Sequence, residues 1–145
     1  MRKTLRYTVT YSGRDHGKVF LITEMSASDA EDWALRAFFA LMNSGIDVPD
    51  EVADMGFAGI ASVGLKALGK VEYSKAKPLF DDMMTCVQVM PDPAKPNVVR
   101  SLIDTDIEDV TTRLKLRTEV FKLHTDFLAA AAPSTTDPSK TAQAG

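Results

Sequence analysis

Two histidines, one cysteine and a few carboxylate pairs are the residues in this chain of 145 whose types suit covalent or acid–base chemistry. A thiol nucleophile needs a base within hydrogen-bond reach. Cys86 lies between Thr85 and Val87 in an expected short strand, and an isolated cysteine there reads as a small hydrophobe. The carboxylate pairs Asp81/Asp82, Asp104/Asp106 and Glu108/Asp109 diverge on a helix, and those at 104–109 read as capping and dipole partners. His16 falls in a turn, where Asp15 and Lys18 suit fixing the loop. The glycines at 56, 59, 64 and 69 match neither a dinucleotide fingerprint nor a phosphate loop and read as close helix packing. A single cysteine excludes an intramolecular disulfide and cysteine-built zinc or iron–sulfur sites. The reading is therefore non-enzymatic, with no catalytic, cofactor or metal site assigned.

Binding chemistry has more to stand on. Thr105-Asp106-Ile107-Glu108 reads as a capping box opening a helix to about Leu128. At ~100° per residue, Ile107, Val110, Leu114, Phe121 and Leu128 share one face of it, and Leu116, Val120, Leu123 and Phe127 form a second stripe. Arg113, Arg117 and His124 fall between the two, so a basic strip is embedded in apolar surface. Either the arginines pair with the protein's own carboxylates, or the strip meets a partner, since arginine beside aromatics is an interface composition.

The elements that would hold this helix follow from periodicity. Leu5, Tyr7, Val9 and Tyr11 alternate with polar residues, Ser12 to Gly17 supplies a turn, and Val19 to Met25 returns, which is a β-hairpin. Ser28-Asp29-Ala30-Glu31 reads as the capping box of the next helix. Its apolar residues Trp33, Ala34, Ala37, Phe38 and Leu41 form one stripe, while Leu35, Phe39 and Met42 make a second side apolar, as in a central helix. Asn43-Ser44-Gly45 ends it. Two short helices are expected between Ile46 and Leu68, with Gly69 as a stop. Ser74 caps a helix to Met84, Cys86 to Met90 forms a short strand beside the hairpin, and Pro91 to Pro96 makes a rigid loop. The expectation is an α+β fold, mainly α. An N-terminal antiparallel hairpin packs on a small helical bundle, a long C-terminal helix follows, residues 1–128 make one domain, and 129–145 make a disordered low-complexity tail.

Charge narrows the function classes. Arg2, Lys3, Arg6, Arg14 and Lys18 meet a single acid, Asp15, in the N-terminal arm, whereas Glu24 to Asp54 contains only one base, Arg36. A basic arm suits nucleic acid, but a pI of about 5.3 argues against phosphate-dominated binding. No apolar run reaches the ~20 residues of a membrane span, and no signal peptide is read at the N-terminus. The expected location is the cytoplasm.

The run Gly13-Arg14-Asp15-His16-Gly17-Lys18-Val19-Phe20-Leu21-Ile22-Thr23-Glu24-Met25, then Ala27, Ala30-Glu31, Trp33-Ala34 and Arg36-Ala37, resembles the start of a group of small phage and prophage proteins. The glycine-rich segment from Met55 to Leu68, Pro78-Leu79-Phe80-Asp81-Asp82-Met83-Met84, and Thr112-Arg113-Leu114 with Leu116-Arg117, Glu119-Val120 and Leu123-His124 continue the likeness. Across about residues 6–128 the chain resembles tail assembly chaperones of long-tailed bacteriophages. That resemblance implies a non-enzymatic protein in the host cytoplasm, absent from the mature virion. It would bind the tape measure protein until tail tube subunits arrive, with the tail tube protein and a second copy of the chain as further partners. The set expected to meet the client is Arg113, Leu116, Arg117, Val120, Phe121, His124 and Phe127, together with Met83 and Met84, methionine being adaptable at binding surfaces. A minor virion component (tail completion or head–tail joining) and a phage nucleic-acid-binding regulator are the readings from other classes.

Overall fold

The computed structural model describes residues 1–45 and 65–131; of the two short helices expected between Ile46 and Leu68, residues 46–64 lie outside the described residues, as does the expected tail of 129–145 from residue 132 onward, while 129–131 are helical. The protein is α+β, with one four-stranded antiparallel sheet and three α-helices among the described residues. Strands β1 (Thr4–Thr8) and β2 (Val19–Thr23) form the expected hairpin, and β3 (Val87–Met90) pairs with β2 in turn. A short β4 (Arg100–Ser101), which sequence periodicity did not suggest, completes the order β1-β2-β3-β4.

The register explains the core. Leu5 pairs with Ile22 and Tyr7 with Phe20, while Phe20 and Ile22 pair across β3 with Val89 and Val87. With a side-chain period of two, these six share one face. Phe20, Ile22, Val87 and Val89 are fully buried there under residues from all three helices. The Gly17 N–H to Val9 carbonyl bond (2.9 Å) closes the hairpin, and Gly17 takes φ +85°, a conformation that glycine adopts at no steric cost.

Helix α1 (Ala27–Asn43) starts earlier than its expected box. Ser26, not Ser28, is the N-cap, its hydroxyl accepting from the Asp29 N–H at 3.2 Å. Its end is as expected: the Ser44 N–H and hydroxyl both return to the Leu41 carbonyl, and Gly45 turns away at φ +82°. Trp33, Ala34, Ala37 and Leu41 face the core, and the Trp33 indole donates to the Leu79 carbonyl at 2.8 Å. The expectation of a central helix is corrected by the other side. Leu35, Phe39 and Met42 are exposed, because the sheet and second helix contact only one stripe.

A 3₁₀ turn (Leu65–Lys70), which includes Gly69, leads to α2 (Tyr73–Met84). Ser74 sits inside the first turn of α2 rather than capping it; Glu72 is the cap residue and contributes no side-chain bond. Arg36 ties α1 to α2 through Asp82 (2.6 Å), while also holding Asp32 one turn away on its own helix. A second 3₁₀ turn (Asp104–Asp106) precedes α3 (Val110–Ala131), which starts later than the expected box and runs past Leu128. Among the described residues no helix is long and apolar enough to cross a membrane.

Candidate functional site

The entry to α3 is fixed by the far end of the chain. The Asp15 carboxylate, fully buried, accepts from the backbone N–H groups of Glu108 (2.9 Å) and Asp109 (2.9 Å). In return the Asp109 carboxylate accepts from the N–H groups of Arg14 (2.9 Å) and Asp15 (3.3 Å), and from the Arg14 guanidinium. Tyr11 donates to the Thr112 hydroxyl at 2.9 Å, and Lys18 reaches both Asp15 (3.0 Å) and the Asp106 carbonyl (2.8 Å). Burial alone would raise the Asp15 pKa. The Glu108 and Asp109 N–H groups, the Thr112 hydroxyl and the Lys18 ammonium override it and hold the carboxyl far below the usual range. Gly13, at φ +154°, leaves the room this exchange needs, since a Cβ there would stand 2.8 Å from an Asp109 carboxylate oxygen.

So positioned, α3 turns one of its two apolar stripes inward. Leu116 and Val120 are fully buried and Leu123 packs against the core, whereas Val110 and Leu114 are 72% and 53% exposed. Met83 and Met84 are also core residues. Four members of the expected client-binding set, Leu116, Val120, Met83 and Met84, therefore hold the fold together rather than face solvent. Ile107 and Phe121, of the same stripe as Val110 and Leu114, are half-buried against the core, and Phe127 lies on α3 beyond the residues whose side chains are described.

His124 is anchored too. Its Nε2 accepts from the Met25 N–H at 2.9 Å, which requires a bare Nε2, and its Nδ1 therefore donates to the Val120 carbonyl (2.8 Å). The ring joins the end of the hairpin to α3 as the neutral Nδ1–H tautomer.

The arginines behave differently. The Arg117 guanidinium lies over the Phe80 ring of α2, 4.6 Å from its centroid, and its Nε is sealed from solvent with no hydrogen-bond partner among the described residues. Burial lowers the Arg117 pKa and neighbouring Arg113 lowers it further, with Asp81 opposing. Arg113 is exposed and makes no ion pair among the described residues. Lys77 is held by Asp81 at 2.6 Å. The α2–α3 face thus carries two guanidiniums without a carboxylate of their own, flanked by exposed Val110, Leu114 and Tyr73.

A second apolar surface, unforeseen in sequence because it was assigned to the core, lies on α1. Phe39 is 57% exposed between Leu35 and Met42, with Phe38 edge-on to it at 5.9 Å between centroids. A groove of about 580 Å³ runs beside Phe39 and Ala40, with Val71, Pro78 and Leu79 forming its far wall.

Among the residues weighed for catalysis, both ring nitrogens of His124 are engaged by backbone groups. Cys86 is buried, which pushes its thiol up to about 11, and His16 is exposed on the hairpin turn. Among the described residues no three His, Cys, Asp or Glu side chains are grouped to hold a metal. No protein-family model, curated protein or solved structure matches the chain.

Proposed function

We propose that this chain is a tail assembly chaperone of a long-tailed bacteriophage, working in the host cytoplasm by binding the tape measure protein and keeping it soluble until the tail tube polymerises. The sequence resemblance supplies the identity of the client. The observation that carries the reading is the exposed row Leu35, Phe39 and Met42 on α1 beside the groove walled by Val71, Pro78 and Leu79. An amphipathic helix presents apolar residues at i, i+3 and i+4, and a groove beside a ridge of the same spacing is the shape that receives one. The groove also bears Arg36, Asn43, Ser44, Glu72, Ser74 and Lys75, so an apolar row with a polar rim faces the solvent there, which suits an interaction site. Client capture needs no covalent step; it needs apolar contact that ends when tube subunits compete for the same client face.

The test is co-expression of the tape measure protein from the same genome with and without this chain, scoring soluble client and co-elution. Soluble client that appears only with this chain and elutes with it supports the proposal. Client equally insoluble in both cases overturns it.

A further inference from the structure

The α2–α3 face contains a charge arrangement that the fold does not use. Arg113 and Arg117 lie one helical turn apart, and like charges at that spacing repel. Asp81, a carboxylate near Arg117, is engaged by Lys77. Arg117 is stacked on Phe80 with its Nε desolvated and unbonded, an arrangement that costs stability and that an apolar side chain of similar size would avoid. The ring contact holds the guanidinium carbon 4.6 Å from the Phe80 centroid. Nε is sealed and unbonded, and among the described residues no hydrogen bond from the Nη atoms is formed. A planar donor fork held in place beside an unpaired second guanidinium is suited to carboxylates. Around it, Val110, Leu114 and Tyr73 expose apolar surface.

We infer that this face receives an acidic amphipathic helical segment of a partner protein, its carboxylates meeting Arg113 and Arg117 while its apolar residues cover Val110, Leu114 and Tyr73. The inference rests on the partner-binding reading above and adds the chemistry of the partner. A phosphate backbone fits less well. Two unpaired guanidiniums would neutralise only about two phosphates, too few for useful affinity at physiological salt, and the nearby cation Lys77 is already held by Asp81.

The probe is a fluorescein-labelled helical peptide with leucines at helical spacing and glutamates beside them, compared with the same peptide carrying glutamines. Binding to the full chain is followed by anisotropy at low and moderate salt. The glutamate peptide should bind about tenfold more tightly than its glutamine counterpart, with the preference shrinking as salt rises. Arg113→Gln, at an exposed position, should reduce the preference to about threefold, and R113Q/R117Q should abolish it. Circular dichroism of each variant establishes that the fold is intact, and R113Q alone decides if the double variant does not fold. Equal affinity for the two peptides overturns the inference, as does an unchanged preference in R113Q, or displacement of the glutamate peptide by a single-stranded oligonucleotide. If wild-type protein prefers glutamate yet fails to keep the tape measure protein soluble, the functional proposal falls and this surface stands. Client solubilised by a protein that shows no glutamate preference removes this inference alone.

Discussion

Asp15 and Asp109 cap each other: each carboxylate accepts backbone N–H groups from the other's segment, at 2.9 Å in the shorter bond of each direction. Asp15 supplies acceptors for donors at the entry to α3, and Asp109 does the same for the hairpin turn. Within its own turn the Asp15 carboxylate accepts only from Lys18; its backbone donors come from the other segment. The pair is a joint between two parts of the fold that periodicity treats separately.

Asp15→Asn should therefore destabilise the protein by about 1–3 kcal/mol, since it weakens the acceptor for two part-buried donors and leaves Lys18 only its longer 3.9 Å pairing with Glu108. The pH dependence has a definite sign. The folded Asp15 carboxyl titrates below its unfolded value of ~3.9, so in that window the unfolded chain binds more protons. Its contribution is complete above about pH 4 and is lost as pH falls toward the folded pKa. Asp106, lowered chiefly by its bond to Arg100, slopes the same way. Urea titrations from neutral to acid pH should show stability falling below about pH 4 in wild type and falling less steeply in D15N. Equal slopes would mean that the exchange does not form.

Trp33 is the single tryptophan, buried with its indole on the Leu79 carbonyl. Its fluorescence should be blue-shifted when folded and move red in one cooperative step on unfolding. Trp33→Phe loses that hydrogen bond and part of the ring volume, at a cost of about 1–3 kcal/mol. Denaturant melts by circular dichroism measure it.

For His124 the checkable quantity is a tautomer. Long-range ¹⁵N–¹H correlation spectra at neutral pH should show the proton on Nδ1, with Nε2 a bare acceptor. His124→Ala should cost about 1–2 kcal/mol by freeing the Met25 N–H. A proton on Nε2 would contradict the link between α3 and the hairpin.

Arg117→Met separates stability from binding. It keeps the bulk over Phe80 and removes a desolvated donor, so the unfolding free energy should stay the same or rise, by up to about 1 kcal/mol. A loss of more than about 1 kcal/mol would mean that the guanidinium supports the fold.

On α1, Leu35→Ser and Phe39→Ser together should leave stability within roughly 0.5 kcal/mol of wild type, as exposed substitutions do. The same variant should no longer keep the tape measure protein soluble on co-expression. Solubilisation that persists moves the client to another face.

The sequence made the hairpin, the third strand and the three helices legible, because alternation and helical spacing are local signals. What it left open was which side of an amphipathic element faces inward. Both apolar stripes of α3 fit a core equally well on paper; the joint at Asp15 and Asp109 selects Leu116 and Val120 and leaves Val110 and Leu114 outside. The same ambiguity placed Leu35, Phe39 and Met42 inside. Capping was misread for two reasons. Ser26 and Ser28 both suit the start of α1, and only neighbouring structure chooses between them. At α3 the capping carboxylate comes from Asp15, 93 residues before the Glu108 N–H it accepts, where no local motif reaches. Of the expected binding set, Arg113 is exposed without an ion pair among the described residues, while Arg117 is half-buried over Phe80.

The separation of the two aspartates has a consequence for synthesis. The hairpin turn leaves the ribosome 94 residues before the carboxylate that completes it, a delay of roughly 5–20 s at ordinary bacterial elongation rates. During that interval Asp15 has Lys18 but not the Glu108 and Asp109 N–H groups, Arg14 lacks Asp109, and the apolar face of β1 and β2 lacks the part of its cover that α3 supplies. The joint is completed only when a late helix reaches an early loop.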